Sequence, residues 1–134
     1  MERVRVVKYL LDTHALLWIA EGSTRLSPKV KTLAQREEAA SFGFSAITLL
    51  EIARLAKTGE IVLAPDAADW LEEISQRFQI LPLTPAISWR AVNFNWSHKD
   101  PADRLICATA LEHKLTLVTS DKEITRWAGV PVLW

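Results

Sequence analysis

Five acidic side chains stand where a metal site could form: Asp12, Glu51, Asp100, Asp103 and Asp121. Asp12 ends an almost unbroken apolar run, Val6-Val7-Lys8-Tyr9-Leu10-Leu11. β-Branched and aromatic residues favour a strand there, and the lack of alternation favours one buried on both faces. A carboxylate at the end of such a strand is partly desolvated and needs a partner. Asp121 follows Leu117-Val118-Thr119-Ser120, at the carboxyl end of another strand, and Asp100 and Asp103 flank the start of a helix over Pro101–His113. Glu51 falls in a helix that follows a short strand over Phe42–Ser45. In a parallel sheet the strand ends point the same way, so these acids can converge on one edge. Two ionised carboxylates about 5 Å apart repel by roughly 3 kcal/mol at an effective dielectric near ~20. Three or four require a cation, or a proton on one of them. Hard oxygen donors without cysteine or a histidine cluster suit Mg²⁺ or Mn²⁺ rather than zinc. Such an ion can activate water and brace a scissile phosphate.

Each acid also has a plainer role. Asp100 before Pro101 is a good helix cap, and Asp103 suits a first helical turn. Asp121 can cap a short helix over Lys122–Trp127. Glu51 lies in a polar wedge with Thr48, Arg54 and Thr58, where it can pair with Arg54. Asp12 is the hardest to explain without a ligand.

The elements that would position these groups alternate along the chain. After the first strand, Thr13 can cap a helix through Ala15–Ala20. Ser27-Pro28 opens a helix over Lys29–Ala39. Ser45 caps the Ala46–Lys57 helix, and Thr58-Gly59 stops it. Ile61–Leu63 is briefly extended, and Asp66 or Ala67 starts a helix through Ile74. A strand over Gln79–Leu83 precedes a helix through Ile87–Phe94. Leu115–Thr119 and Val130–Leu133 are the last strands. This alternation predicts a parallel sheet with helices on both faces.

The 134 residues suit one domain with a sizeable core. Cys107 is the only cysteine, which excludes an internal disulfide and fits a reducing cytosol. Residues Met1–Arg5 lead straight into the first strand without a leader-like pattern, and no apolar run is long enough to span a membrane. Sixteen basic and 16 acidic residues leave zero net charge. That counts mildly against a nucleic-acid binder, although a local patch or a bound metal can still attract a polyanion.

Four segments together resemble the PIN-domain ribonucleases, and most closely the VapC-type toxins of toxin–antitoxin systems. They are Leu10–Trp18 (LLDTHALLW), Ser45–Ala53 (SAITLLEIA), His98–Ala110 (HKDPADRLICATA) and Leu117–Asp121 (LVTSD). The likeness runs through nearly the whole chain. It implies a three-layer α/β PIN domain over residues 1–134 and a Mg²⁺- or Mn²⁺-dependent endoribonuclease with water as nucleophile. By the resemblance, Asp12 and Asp103 are the principal metal ligands, and Asp121 supports a metal directly or through water. Glu51 orients or deprotonates the attacking water. The family's Ser/Thr position falls on Thr119, while Asp100 is kept as a cap. A cognate VapB-type antitoxin, a homodimer and a cytoplasmic location are implied as well.

Lys99, Arg104, Lys122 and Arg126 lie near the site in sequence, and Lys99 and Arg104 with Thr119 are the candidates for substrate contact. His14 and His98 are read as local hydrogen-bonding groups. Cys107 and most of the six tryptophans are read as packing. Two rival functions are weighed. A phospho-accepting receiver domain would need paired acids after the first strand, but Thr13 follows Asp12. A PIN-like protein that only binds RNA or a partner would keep its effect without Asp12 and Asp103.

Overall fold

The computed structural model describes residues 6–134. The expectation that Met1–Arg5 leads directly into a strand, without a leader, concerns residues outside that range. Five parallel strands, β1 (Tyr9–Leu11), β2 (Phe42–Ser45), β3 (Gln79–Leu81), β4 (Thr116–Val118) and β5 (Val132–Leu133), form one sheet in the order β3-β2-β1-β4-β5. Seven α-helices cover it: α1 (Thr13–Glu21), α2 (Pro28–Arg36), α3 (Ala46–Lys57), α4 (Ala67–Arg77), α5 (Pro85–Val92), α6 (Pro101–Glu112) and α7 (Lys122–Trp127).

β1 is the centre of this arrangement because both of its faces are apolar. Successive side chains of a strand point to opposite sides of the sheet. Leu11 joins a core with Leu16, Val30, Phe44, Ile52 and Ile74, drawn from α1 to α4 and β2. Leu10 joins a second core with Ile106, Cys107, Leu117 and Ile124, beneath α6 and α7. Both leucines are fully buried, each contributing roughly 1.5–3 kcal/mol of transfer free energy. Helix α5 lies outside α6, sealed by Ile87 and Ala91 against Ala108. The layers are thus helix, sheet, helix, as the alternation predicts.

The first three strands build outward from β1 on one side, and the chain then returns to place β4 on its other side. The carboxyl ends of β1 and β4 therefore flank the point where the winding reverses, the usual place for a crevice in an open α/β sheet. On the other side of β1, Gly43 in β2 permits close packing against its neighbours: a Cβ would sit 3.1 Å from Val7 Cγ1 and 3.2 Å from the Gln79 carbonyl oxygen.

Several boundaries differ from those expected. The first strand spans only Tyr9–Leu11, although the Lys8 amide still bonds the Ser41 carbonyl at 2.8 Å. The second helix stops at Arg36 because Glu37 is extended, and a short 3₁₀ turn over Ala39–Ser41 delivers the chain to β2. Ile61–Leu63 is not a sheet strand; Leu63 instead packs into the core beside Ile74. The cap of α1 is Asp12 rather than Thr13, and Thr13 occupies the first helical position.

Candidate active site

Asp12 is held by the backbone and by β4. Its Oδ1 accepts the Ala15 amide hydrogen bond at 2.8 Å, and its Oδ2 accepts from the Thr119 hydroxyl. Only 9% of the residue is exposed. Burial lifts its pKa to about 6, against the lowering pull of the Thr119 and Ala15 hydrogen bonds. Thr119 also accepts from the Asp121 amide at 3.0 Å, so one hydroxyl joins two acidic segments. Asp121 caps α7 through Oδ1, which accepts from the Glu123 and Ile124 amides at 2.8 and 3.0 Å.

Glu51 projects from the second turn of α3. The Thr13 hydroxyl donates to its Oε1 at 2.5 Å, and Thr13 in turn lies 3.3 Å from the buried Thr48 hydroxyl. The pairing of Glu51 with Arg54 expected from spacing does not close into an ion pair among the described residues; Thr13 takes that place. Burial raises the Glu51 carboxyl, with repulsion from Asp103 and Asp100 adding to it. Asp103 is likewise raised, first by burial and then by Asp100 and Asp121, while the hydrogen bond from His98 opposes the shift. His98 Nε2 lies 2.7 Å from Asp103 Oδ2, the local role expected of that histidine. Asp100 caps α6, accepting from the Ala102 and Asp103 amides at 2.9 and 3.3 Å.

The plain and the chemical readings of these acids are therefore compatible. Asp12, Asp100 and Asp121 each cap a helix that starts at the same sheet edge, and all five acids line one open cleft of about 730 Å³. Among the described residues, one group brings its ligand atoms within 4.8 Å of one another: His98, Asp100 and Asp103. The expected ligand set of Asp12, Asp103 and Asp121 lines the same cleft but is more widely spread. Asp100, kept as a cap in the sequence, stands among the candidate ligands.

The donor chemistry suits a hard divalent cation. The acids of the cleft offer hard carboxylate oxygens, joined by the Thr13, Thr58 and Ser120 hydroxyls and by the imidazoles of His14 and His98. No ion pair among the described residues neutralises Asp12, Glu51, Asp100 or Asp121, and Asp12, Glu51 and Asp103 are raised chiefly by burial, with repulsion from neighbouring acids adding to it. Cys107 is no competitor, because burial pushes its thiol up to about 12.

Lys99, Arg104 and Thr119, the candidates for substrate contact, lie outside the lining of the cleft. Arg104 directs its guanidinium away from the cleft, into four hydrogen bonds with the Ala91, Phe94, Trp96 and His98 carbonyls. Thr119 is buried behind Asp12 and positions it. Lys99 borders a different groove, between α5 and α6, with Leu83 and Val92. The groups facing the acids across the cleft are instead His14, Trp18, Arg54 and Lys57. Arg54 and Lys57 lie one turn apart near the end of α3, a spacing visible in the sequence but without a reason to single it out. None of the six tryptophans is fully buried. Trp18 contacts His14 and Trp134 at 5.6 and 5.7 Å between ring centres, and Trp96 stacks on Trp127 at 4.3 Å.

A three-layer parallel α/β domain with an acidic cleft at its switch point is the architecture of the PIN domain. The PIN domain family model matches residues 9–130, and the chain belongs to that family. Over 116 residues it is 36% identical to Ribonuclease VapC22 of Mycobacterium tuberculosis, spanning 86% of this chain and 88% of that protein. A toxin–antitoxin complex from Klebsiella pneumoniae superposes with a TM-score of 0.67 at 25% identity, covering 95% of this chain and 97% of that one. The DNA-bound VapBC of Salmonella typhimurium shares the fold, with a TM-score of 0.72 at 20% identity over 96% and 98% of the two chains.

Proposed function

We propose that residues 1–134 act as one PIN domain, the toxin of a type II toxin–antitoxin pair, and that it hydrolyses RNA phosphodiester bonds with a divalent cation. The observation that carries this reading is the meeting of Asp12, Glu51, Asp103 and Asp121, from four separate segments, in one cleft. The relationship to a ribonuclease over most of both chains supports it. Mg²⁺ or Mn²⁺ would be held principally by Asp12 and Asp103 with support from Asp121, and would supply an activated water and screening of phosphate charge. Glu51, steadied by Thr13, orients that water and accepts its proton. The water oxygen bonds to phosphorus as the bond to the leaving ribose oxygen breaks, and the leaving oxygen is protonated from solvent. Arg54 and Lys57 meet the flanking phosphates.

A VapB-type antitoxin would occupy this cleft, in keeping with the antitoxin-bound relatives. A second copy of the chain would cover the exposed strip of Leu83, Trp89 and Val92 on and beside α5. Trp89→Asp is expected to give a monomer by light scattering; an unchanged dimer would place the interface elsewhere. No helix among the described residues is long and apolar enough to cross a membrane, and cytosolic RNA is the proposed target. The decisive experiment is cleavage of a single-stranded oligoribonucleotide by the purified chain. EDTA should abolish it and Mg²⁺ or Mn²⁺ restore it, while full cleavage in metal-free buffer would reject the mechanism. Retained toxicity of Asp103→Asn would favour a protein that only binds.

A further inference from the structure

Arg104 and His98 form a connected support behind Asp103. Arg104 follows Asp103 in the first turn of α6, yet its side chain runs back along the α5–α6 connection. Nε donates to the Ala91 carbonyl at 2.8 Å and Nη2 to that of Phe94 at 2.8 Å. Nη1 donates to the carbonyls of Trp96 and His98, both at 2.9 Å. Four carbonyls arranged around one plane suit a guanidinium fork, and the three donors of an ammonium on a flexible stem cannot satisfy them together. The segment held in this way ends in His98. There the imidazole rests 4.9 Å from the Trp96 ring, which is itself stacked on Trp127, and its Nε2 meets Asp103 Oδ2.

We propose that His98 is a positioning residue for Asp103, and that Arg104 places it by clamping the backbone of residues 91–98. The ring N–H tethers one carboxylate oxygen and restricts rotation of the group, leaving Oδ1 outside that bond. A carboxylate oriented before the cation arrives loses less freedom on binding it. Such outer partners of ligating groups are commonly worth ~10- to 100-fold in metal affinity or activity. This rests on the metal-dependent nuclease reading. The alternative, His98 as a ligand in its own right, has its Nε2 already committed to Asp103 at 2.7 Å.

The test uses the full chain and two readouts: Mn²⁺ binding by calorimetry without RNA, and steady-state cleavage of an oligoribonucleotide. His98→Ala should weaken Mn²⁺ by ~10- to 100-fold and lower kcat, with KM for RNA changed less than about twofold. His98→Gln, whose amide can donate to Asp103, should recover most of both. Arg104→Lys should weaken Mn²⁺ similarly and add little in the His98→Ala background, because both changes remove the same tether. Wild-type Mn²⁺ affinity in His98→Ala would overturn the inference. So would a Gln variant no better than Ala, since that marks a direct ligand. Should Arg104→Lys not fold, the His98 pair decides by itself. A wild-type chain that neither binds Mn²⁺ nor cleaves RNA would overturn the nuclease reading and this inference together.

Discussion

Asp12 and Asp103 are the same residue type in the same cleft, yet the fold holds them by different means. Asp12 is buried at the end of the central strand, with one oxygen on a helix amide and the other on Thr119. Asp103 stands on a helix surface, about one-fifth exposed, and depends on a histidine delivered by a clamped loop. The first arrangement is built from neighbours in adjacent strands. The second is built from a detour of the chain that Arg104 closes. The difference teaches that burial supplies precision at one end of a site, whereas the other end needs a dedicated brace.

The largest effect should come from removing either charge. Asp12→Asn and Asp103→Asn are each expected to lower kcat by roughly 10²- to 10⁴-fold, a range typical of losing a positioned catalytic group. Steady-state cleavage measures this, and a loss below about tenfold at one position would show that only the other is needed. Next in size is a core test of the Asp12 side. Leu10→Ala beneath the site should cost ~2–5 kcal/mol in denaturant unfolding, because a fully buried leucine leaves a cavity. A cost under ~1 kcal/mol would deny the tight packing attributed to β1.

The acidity of Asp12 provides a third test. Its carboxyl is raised in the fold from 3.8 to about 6, so the native state holds its proton more tightly than the unfolded chain. Stability of the metal-free protein should therefore be highest below about pH 4 as far as this group is concerned. It should fall as pH rises through about 6, by roughly 3 kcal/mol at the plateau. A bound cation reverses the penalty, so Mg²⁺ should raise Tm more at pH 7.5 than at pH 5. Equal increments at both pH values would contradict the picture. Asp12→Asn should remove most of the pH dependence, whereas Asp103→Asn, on the more exposed side, should remove less.

The smallest expected change separates hydrogen bonding from charge. Thr119→Val deletes the donor to Asp12 and should cost ~1–3 kcal/mol of stability, with a further rise in the Asp12 pKa. NMR titration of the Asp12 carboxyl checks it. An unmoved titration midpoint would mean that another group stands in for the hydroxyl.

Much of the Asp12 side was legible in the sequence. The almost unbroken apolar run announced a doubly buried strand, and the carboxylate after it stood out because a desolvated acid needs partners; the local Ala15 amide meets only one of its oxygens. Asp100, Asp103 and Asp121 were visible as acids at helix starts, although capping alone could account for them. The Asp103 side was less legible. Arg104 beside a candidate ligand looked like a phosphate contact, and only the path of residues 91–98 shows where its hydrogen bonds go. In the sequence Arg54 reads as a partner for Glu51, and Lys57 only as the end of its helix. Thr13 and Thr48 carried no signal beyond helix capping and polarity, because their partners lie in other elements.

The sequence by itself determined the alternation of strands and helices, the central place of β1 and the positions of the acids along the chain. These follow from local propensity and from which faces must leave water. The tertiary structure decided which acids come within reach of one another, which oxygens remain for a ligand and which cations face them. Those outcomes depend on the order of strands in the sheet and on hydrogen bonds between residues far apart in the chain, such as Asp12 with Thr119. No local pattern encodes a distance across the sheet, so packing alone could settle them.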